Sequence, residues 1–210
     1  RGDAIAALEC EGICWFGAGE SASQARRPLI VEAEGKRVAL LAMSEHEYNY
    51  ALDSQPGAAP FDPFDALCDV RAAKAENDFV IVLYHGGKEH CAYPSPRLRR
   101  ACQGMARMGA DLILCQHSHM IGCQETFEGC RIVYGQGNFH FVHFRDMAHW
   151  NSGLMAVVDV EDTLRVRLVP VIGGERGIRP ADEAAAADIL CAFARRSEAP
   201  ADGRWLEGWR

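Results

Sequence analysis

The chain has 210 residues, 49% of them hydrophobic, 24% charged and 9% aromatic, which is ordinary globular usage and excludes disordered, collagen-like and coiled-coil classes. Twenty-two Lys and Arg against 29 Asp and Glu leave a net charge of −7, which argues against nucleic acid as a partner. The longest apolar run, residues 79–84, falls far short of the roughly 20 residues a membrane helix needs, and the length suits one domain.

In chain order, residues 3–11 alternate as a short helix that Gly12 stops, and residues 13–16 read as a strand leading into Gly17-Ala18-Gly19-Glu20. That segment lacks both the dinucleotide fingerprint and the Lys-Ser/Thr of a P-loop, so it is read as a turn rather than a phosphate cradle. Residues 29–33 and 37–42 flank Glu34-Gly35-Lys36 as a hairpin, and Pro56, Gly57, Pro60 and Pro63 make 45–63 a loop. Residues 64–77 carry helical spacing through Phe64, Leu67, Cys68 and Arg71 or Ala72. The fully apolar run 79–84 is a strand buried on both faces, with His85 at its C-terminal end. A helix at 96–108 and a second buried strand at 112–115 follow, the latter ending at Gln116-His117-Ser118-His119.

Two short strands at 120–127 and 131–134, joined by a turn containing Gly129, precede Gly135-Gln136-Gly137-Asn138. Residues 154–160 and 164–171 form an antiparallel hairpin, and 181–196 a last helix. The expected class is α/β: a layered sheet of mixed parallel and antiparallel strands flanked by helices. Residues 1–196 make the domain and 197–210 a tail, whose Trp205 and Trp209 dock on the body or on a partner. The nine cysteines are odd in number and lack C-x-x-C pairs, which points to free thiols and a reducing, cytoplasmic setting. Arg97, Arg99, Arg100 and Arg107 are a local basic exception, either a solvated face or an anion-facing patch.

The chemistry is carried by histidines. His85 and His90 follow one buried strand, His117 and His119 the next, and His140 the Gly-Asn turn. Open α/β sheets bind ligands beyond the C-terminal ends of their strands, so these positions can converge. Imidazoles at i and i+2 point oppositely on a regular strand but can both turn inward in a loop just past it. Neutral imidazole binds zinc, iron, nickel and copper well and manganese more weakly. Glu89 and His90 supply a carboxylate ligand, a hydrogen-bond partner to a ligand or an acid/base group, against the plainer reading of exposed loop residues. Asn138 either coordinates through its amide oxygen or takes a left-handed turn beside Gly137. Cys91 and Cys115 raise a thiolate alternative, and Ser118 a nucleophile without a G-x-S-x-G elbow.

Several segments match a known pattern in order and spacing. Gly17-Ala18-Gly19 with Pro28, and Gly35-Lys36-Arg37-Val38-Ala39, resemble a Gly-Ala-Gly segment and a Gly-Lys-x-Val-Ala strand. His85-Gly86-Gly87-Lys88-Glu89-His90 looks like His-Trp-Gly-x-Glu-Tyr, and Gly109-Ala110-Asp111 followed by His117-Ser118-His119 looks like Gly-Ala-Asp-x-x-x-Gly-x-His-Pro-His. Ile132-Val133-Tyr134 with Gly137-Asn138-Phe139 resembles Ile-x-Tyr-Ser-x-Gly-Asn-Phe. These resemble the motifs of the bacterial capsule-synthesis CapA proteins, also called poly-gamma-glutamate synthesis proteins, of calcineurin-like metallophosphoesterase fold.

The resemblance implies that His85, His117 and His119 are ligands of a divalent metal (Mn, Fe or Zn) and that Glu89 and Asn138 line the site; from the residues themselves, Glu89 and His90 are taken as the acid/base groups and Asn138 and His140 as lining the substrate. It further implies metal-dependent hydrolysis of a phosphoester linked to capsule or poly-gamma-glutamate synthesis. The alternative is a non-catalytic assembly factor that binds an anionic capsule polymer through a metal and Arg97, Arg99 and Arg100. Gly86 departs from the family's aromatic, His90 from Tyr, Cys115 from Gly, Ser118 from Pro and Gly135 from Ser. The family's upstream Gly-Asp, Asn-Glu and Asn-Asn-His motifs are not found ahead of Gly17, so the chain reads as the C-terminal part of such a domain. A homodimer through an exposed sheet edge and a weak or partial metal site are the accompanying expectations.

Overall fold

The computed structural model describes residues 2–45, 49–140, 149–174, 177–203 and 205–206. The elements are α1 (Gly2–Cys10), β1 (Ala18–Gly19), α2 (Ala22–Ala25), β2 (Leu29–Ala33), β3 (Lys36–Ser44), β4 (Gly57–Ala58), α3 (Pro63–Glu76), β5 (Phe79–His85) and α4 (Pro96–Arg107). They continue as β6 (Leu112–Gln116), β7 (Gln124–Phe127), β8 (Cys130–Val133), β9 (Ser152–Val160), β10 (Leu164–Gly174), β11 (Gly177–Pro180) and α5 (Glu183–Asp202).

A six-stranded sheet in the order β2-β3-β5-β6-β8-β7 forms the centre. Its four inner strands run parallel and each edge strand is antiparallel to its neighbour, which is the mixed α/β arrangement expected. A second, antiparallel sheet in the order β11-β10-β9 covers one face. Side chains alternate across the strands. Leu41, Val80, Val82, Ile113 and Ile132 face α3 and α4, while Ile81, Leu112, Leu114 and Val133 face Leu154 of β9 and Phe193 of α5. Burial on both faces is why residues 79–84 are apolar throughout.

The helices start where their caps dictate. Asp62 accepts hydrogen bonds from the Phe64 and Asp65 amides, Ser95 from Leu98, and Asp182 from Ala185, with Pro63 and Pro96 at the first turns. The apolar face expected on α3 is displaced: Ala66, Val70 and Ala73 are buried, whereas Phe64 is 78% exposed. Small side chains win because the helix lies close against the sheet, and Leu67 turns toward α4, where a Cβ on Gly104 would come within 3.2 Å of it. Asp111 is structural; its carboxylate accepts from the Val80 amide at 2.7 Å and from Lys74 at 2.9 Å, tying α3 and two strand starts together.

Three expectations are corrected. Residues 13–16 are not a strand: pairing comes two residues later, as β1 with β4, and Ile13 is left 51% exposed with no face to bury. Strand β11 is absent from the sequence reading, because Gly177–Pro180 has neither alternation nor an apolar run; its register with β10 is what makes it a strand. The last helix does not stop at 196 but runs to Asp202, containing Pro200 and ending at Gly203 in the left-handed conformation. Beyond it Trp205 docks on the body, 5% exposed, with the Arg99 guanidinium 5.1 Å from its ring; Trp209 lies outside the described residues. Helix α5 also covers edge strand β7, since Ser197 Oγ accepts from the Gln124 amide at 3.0 Å and Arg196 donates to the Gly122 carbonyl at 2.9 Å. No helix of the described residues is long and apolar enough to cross a membrane.

Candidate metal centre

Strands β5 and β6 are parallel neighbours with His85 opposite Gln116, so His117 emerges from the sheet one residue beyond its partner. The chain then leaves extended geometry: His117 has φ 91° and His119 φ 56°. Two left-handed residues around Ser118 are costly for side chains with a Cβ. They also remove the opposition that a strand imposes on positions i and i+2. Ser118, which is buried, holds the turn by donating to the Met120 carbonyl at 3.2 Å rather than presenting a nucleophile.

The imidazoles of His85 and His117 meet as a result. His85 Nε2 lies 3.2 Å from His117 Nδ1, and their ring centroids are 4.9 Å apart. The His119 ring is 6.2 Å from that of His117. Asn138 Nδ2 donates to the Trp150 carbonyl at 2.8 Å, which fixes its amide orientation and aims Oδ1 at His119 Nδ1, 2.7 Å away. In the neutral ring His119 Nδ1 therefore carries the proton and Nε2 the lone pair, the tautomer that ligation through Nε2 requires. Trp150, buried, lies along His119 with centroids 4.7 Å apart. Gly137 permits this approach at φ 69°, since a Cβ there would stand 2.4 Å from the Ser152 carbonyl oxygen. Among the described residues, no group of three or more His, Cys, Asp or Glu side chains is gathered to hold an ion. The tight element is the His85–His117 pair, with His119 one ring away.

A cleft of about 520 Å³ opens over these residues, with His85, His117, His119, Asn138 and His140 on its wall. Gln116 and Gln136 form part of its floor, joined by a 3.0 Å hydrogen bond between their amides. Sequence reasoning misses both glutamines, although they sit at strand ends beside residues that it singles out. Glu89 and His90 occupy an exposed turn outside the cleft lining. The His90 amide donates to the Ser118 carbonyl at 2.8 Å, and its ring stands 6.3 Å from His119.

A buried carboxylate also escapes sequence reading. Glu45 follows β3, accepts from the Tyr84 hydroxyl at 2.8 Å and pairs with Arg97 at 3.0 Å. Burial raises the Tyr84 hydroxyl's pKa, and the Glu45 charge raises it further. A Cβ on Gly86 would lie 2.7 Å from Glu45 Cβ and 2.8 Å from Tyr84 Cε1. The space beside Gly86, where the motif has an aromatic residue, is thus taken by Glu45 and Tyr84.

Of the two thiols beside these histidines in sequence, Cys91 is half-buried and Cys115 stands apart from this edge. Cys115 faces α4 on the opposite side of the sheet, its sulfur 3.7 Å from that of Cys102, and none of the nine cysteines is bridged. Burial pushes the Cys123 and Cys130 thiols up to about 12. Three of the four arginines of the basic stretch are engaged as well: Arg97 with Glu45, Arg99 with Glu125 and Arg107 with Glu128.

Comparison with known proteins agrees with the family resemblance. The family model for bacterial capsule synthesis protein PGA_cap matches residues 2–143. The PGA biosynthesis protein CapA of Bacillus subtilis (strain 168) is 32% identical over 128 residues, 60% of this chain and 34% of that protein. The capsule biosynthesis protein CapA of Bacillus anthracis is 30% identical over 145 residues, 66% of this chain and 35% of that one. The chain spans about a third of the length of these curated relatives. Two solved structures overlap it more loosely. A novel phosphatase from Mycoplasma pneumoniae does so with TM-score 0.38 and 14% identity over 54% of this chain and 36% of its own. A hypothetical protein from Thermus thermophilus has TM-score 0.38 and 15% identity over 73% of this chain and 60% of its own. Matched by the family model over most of its length, the chain belongs to the bacterial capsule synthesis protein family PGA_cap.

Proposed function

We propose that this chain carries the histidine part of a metal-dependent, phosphoesterase-type hydrolytic site in a CapA-like protein of capsule or poly-gamma-glutamate synthesis. The observation that carries the reading is the 3.2 Å approach of His85 Nε2 to His117 Nδ1 at adjacent strand ends. Two imidazole nitrogens on one tetrahedral zinc lie roughly 3.3 Å apart, given metal–nitrogen bonds of about 2.0–2.1 Å, so the pair fits such an ion. His85 and His117 would hold it, with His119 as the third ligand. A divalent ion (Mn, Fe or Zn) bound there supplies Lewis-acid polarisation of a phosphoryl oxygen.

The chain's own residues supply the rest. Asn138 keeps His119 in the lone-pair tautomer at Nε2. Leu154 and Ala156 of β9 wall the cleft and keep water from one side, while the exposed His140 at its wall is placed against bound substrate. Glu89 and, where its ring holds no ion, His90 serve as acid and base for a substrate long enough to overhang the rim. The polyanion-binding alternative draws less support, since Arg97 and Arg99 already neutralise Glu45 and Glu125.

The test is turnover of a chromogenic phosphodiester with manganese, iron or zinc added, by the chain and by His85→Ala and His117→Ala. Metal-dependent turnover lost in both variants is the expected result. Turnover indifferent to both substitutions, or zinc affinity equal in the parent and both variants, would overturn the reading, and salt-sensitive polymer binding without metal binding would favour the alternative.

A further inference from the structure

The histidine-lined edge continues past His119. The His90 ring is 6.3 Å from that of His119, and His149 lies beyond it, 5.9 Å from His90 and nearly perpendicular at 80°. Among the described residues, His149 Nε2 is buried and has no hydrogen-bond partner. Such orphaned buried nitrogens are rare in folded proteins and call for an explanation, an absent ion among them. His90 is held in place although exposed: its φ is 57°, its amide is tied to the Ser118 carbonyl at 2.8 Å, and its ring lies 6.0 Å from Trp150.

We infer that His90 and His149 form a transition-metal position of their own, beside the one built on His85 and His117. Two imidazoles sharing one ion have ring centroids roughly 4.5–6.4 Å apart for metal–nitrogen bonds of about 2.0–2.1 Å, and the observed 5.9 Å falls inside that range. The donor set selects the ion. The two donors are imidazole nitrogens, which favour copper, nickel and zinc over magnesium and calcium, ions that take oxygen ligands. The two positions are distinguishable because Asn138 engages His119 Nδ1 between them. The inference stands whether or not the edge hydrolyses anything.

Zinc and copper titrations of the 210-residue chain test it, with thermal melts and near-ultraviolet circular dichroism to verify folding. His149→Gln and His90→Gln should each remove the same equivalent of metal, weakening it at least tenfold, while the His85→Gln/His117→Gln double variant keeps it. Copper bound to the double variant should show hyperfine coupling to two imidazole nitrogens in electron paramagnetic resonance. If His149→Gln and His90→Gln bind as many equivalents as tightly as the parent, or if the double variant binds none, the inference is overturned. One equivalent in the parent that persists in the double variant and vanishes in His149→Gln would sustain it while sinking the His85–His117 reading. His90 is exposed, so its substitution reports on binding even if the change at His149 disturbs folding.

Discussion

Asn138 is the residue whose substitution most directly separates folding from ligation. It is 7% exposed and makes two hydrogen bonds through its amide, to His119 at 2.7 Å and to the Trp150 carbonyl at 2.8 Å. At about 0.5–1.5 kcal/mol net for each bond, Asn138→Ala should cost about 1–3 kcal/mol. For a chain of this size that is a fall of roughly 2–12 °C in melting temperature. Asn138→Asp should be destabilised to a similar extent, because it retains an acceptor for His119 but sets an oxygen against the Trp150 carbonyl. The two variants should part in zinc affinity. Removing a residue that orients a ligating histidine weakens metal about 10–100-fold, which is the expectation for Asn138→Ala, whereas Asn138→Asp keeps the His119 tautomer and should stay within a few-fold of the parent. Differential scanning fluorimetry without metal and competitive zinc titration measure the two effects. Equal zinc affinity in the parent and Asn138→Ala, or an equal loss in both variants, would refute the reasoning.

Burial alone would raise the pKa of Glu125, but hydrogen bonds from Arg99, Tyr134 and Gln103 outweigh it and hold the carboxyl below its usual range. Its stabilisation is therefore complete above that range and is lost as pH falls through the lowered value. Acid titration followed by circular dichroism should show Glu125→Gln weaker than the parent by about 1.5–3 kcal/mol at neutral pH, with the difference shrinking in acid. In thermal melts Gly86→Ala should lower stability by about 1–3 kcal/mol through overpacking against Glu45 and Tyr84. Under native conditions Ellman's reagent should reach Cys10, Cys14, Cys68 and Cys191 first, and denaturation without reductant should bring the total to nine; a persistent shortfall would show bridging.

The parts of the fold legible in the sequence are those where one local rule decides. The all-apolar run 79–84 can only be an inner strand, and prolines after capping residues mark the starts of α3 and α4. The motif positions bring His85, His117 and His119 to one edge because parallel neighbours deliver their C-terminal residues side by side. What the sequence hides depends on contacts across long separations. Strand β11 exists through its register with β10, and Glu45 gains its setting from Tyr84 and Arg97. Trp150 and Gln136 join the site only once Gly137 is laid against Gly153. Periodicity also misjudges α3, because it follows the large apolar residues where close packing on the sheet calls for alanine and valine.

The register that sets His85 opposite Gln116 also gives the two halves of the histidine edge different evolutionary freedom. His85 is part of a strand and His117 directly follows one, so a one-residue slip that moved either imidazole would turn the whole apolar pattern of β5 or β6 to the wrong face and unfold the sheet. His90 and His149 hang from turns, where substitution disturbs little of the core. Across descendants of this chain insertions and deletions should therefore be absent between the core strands and the inner pair, while the turns that carry the outer pair can change length without moving a strand.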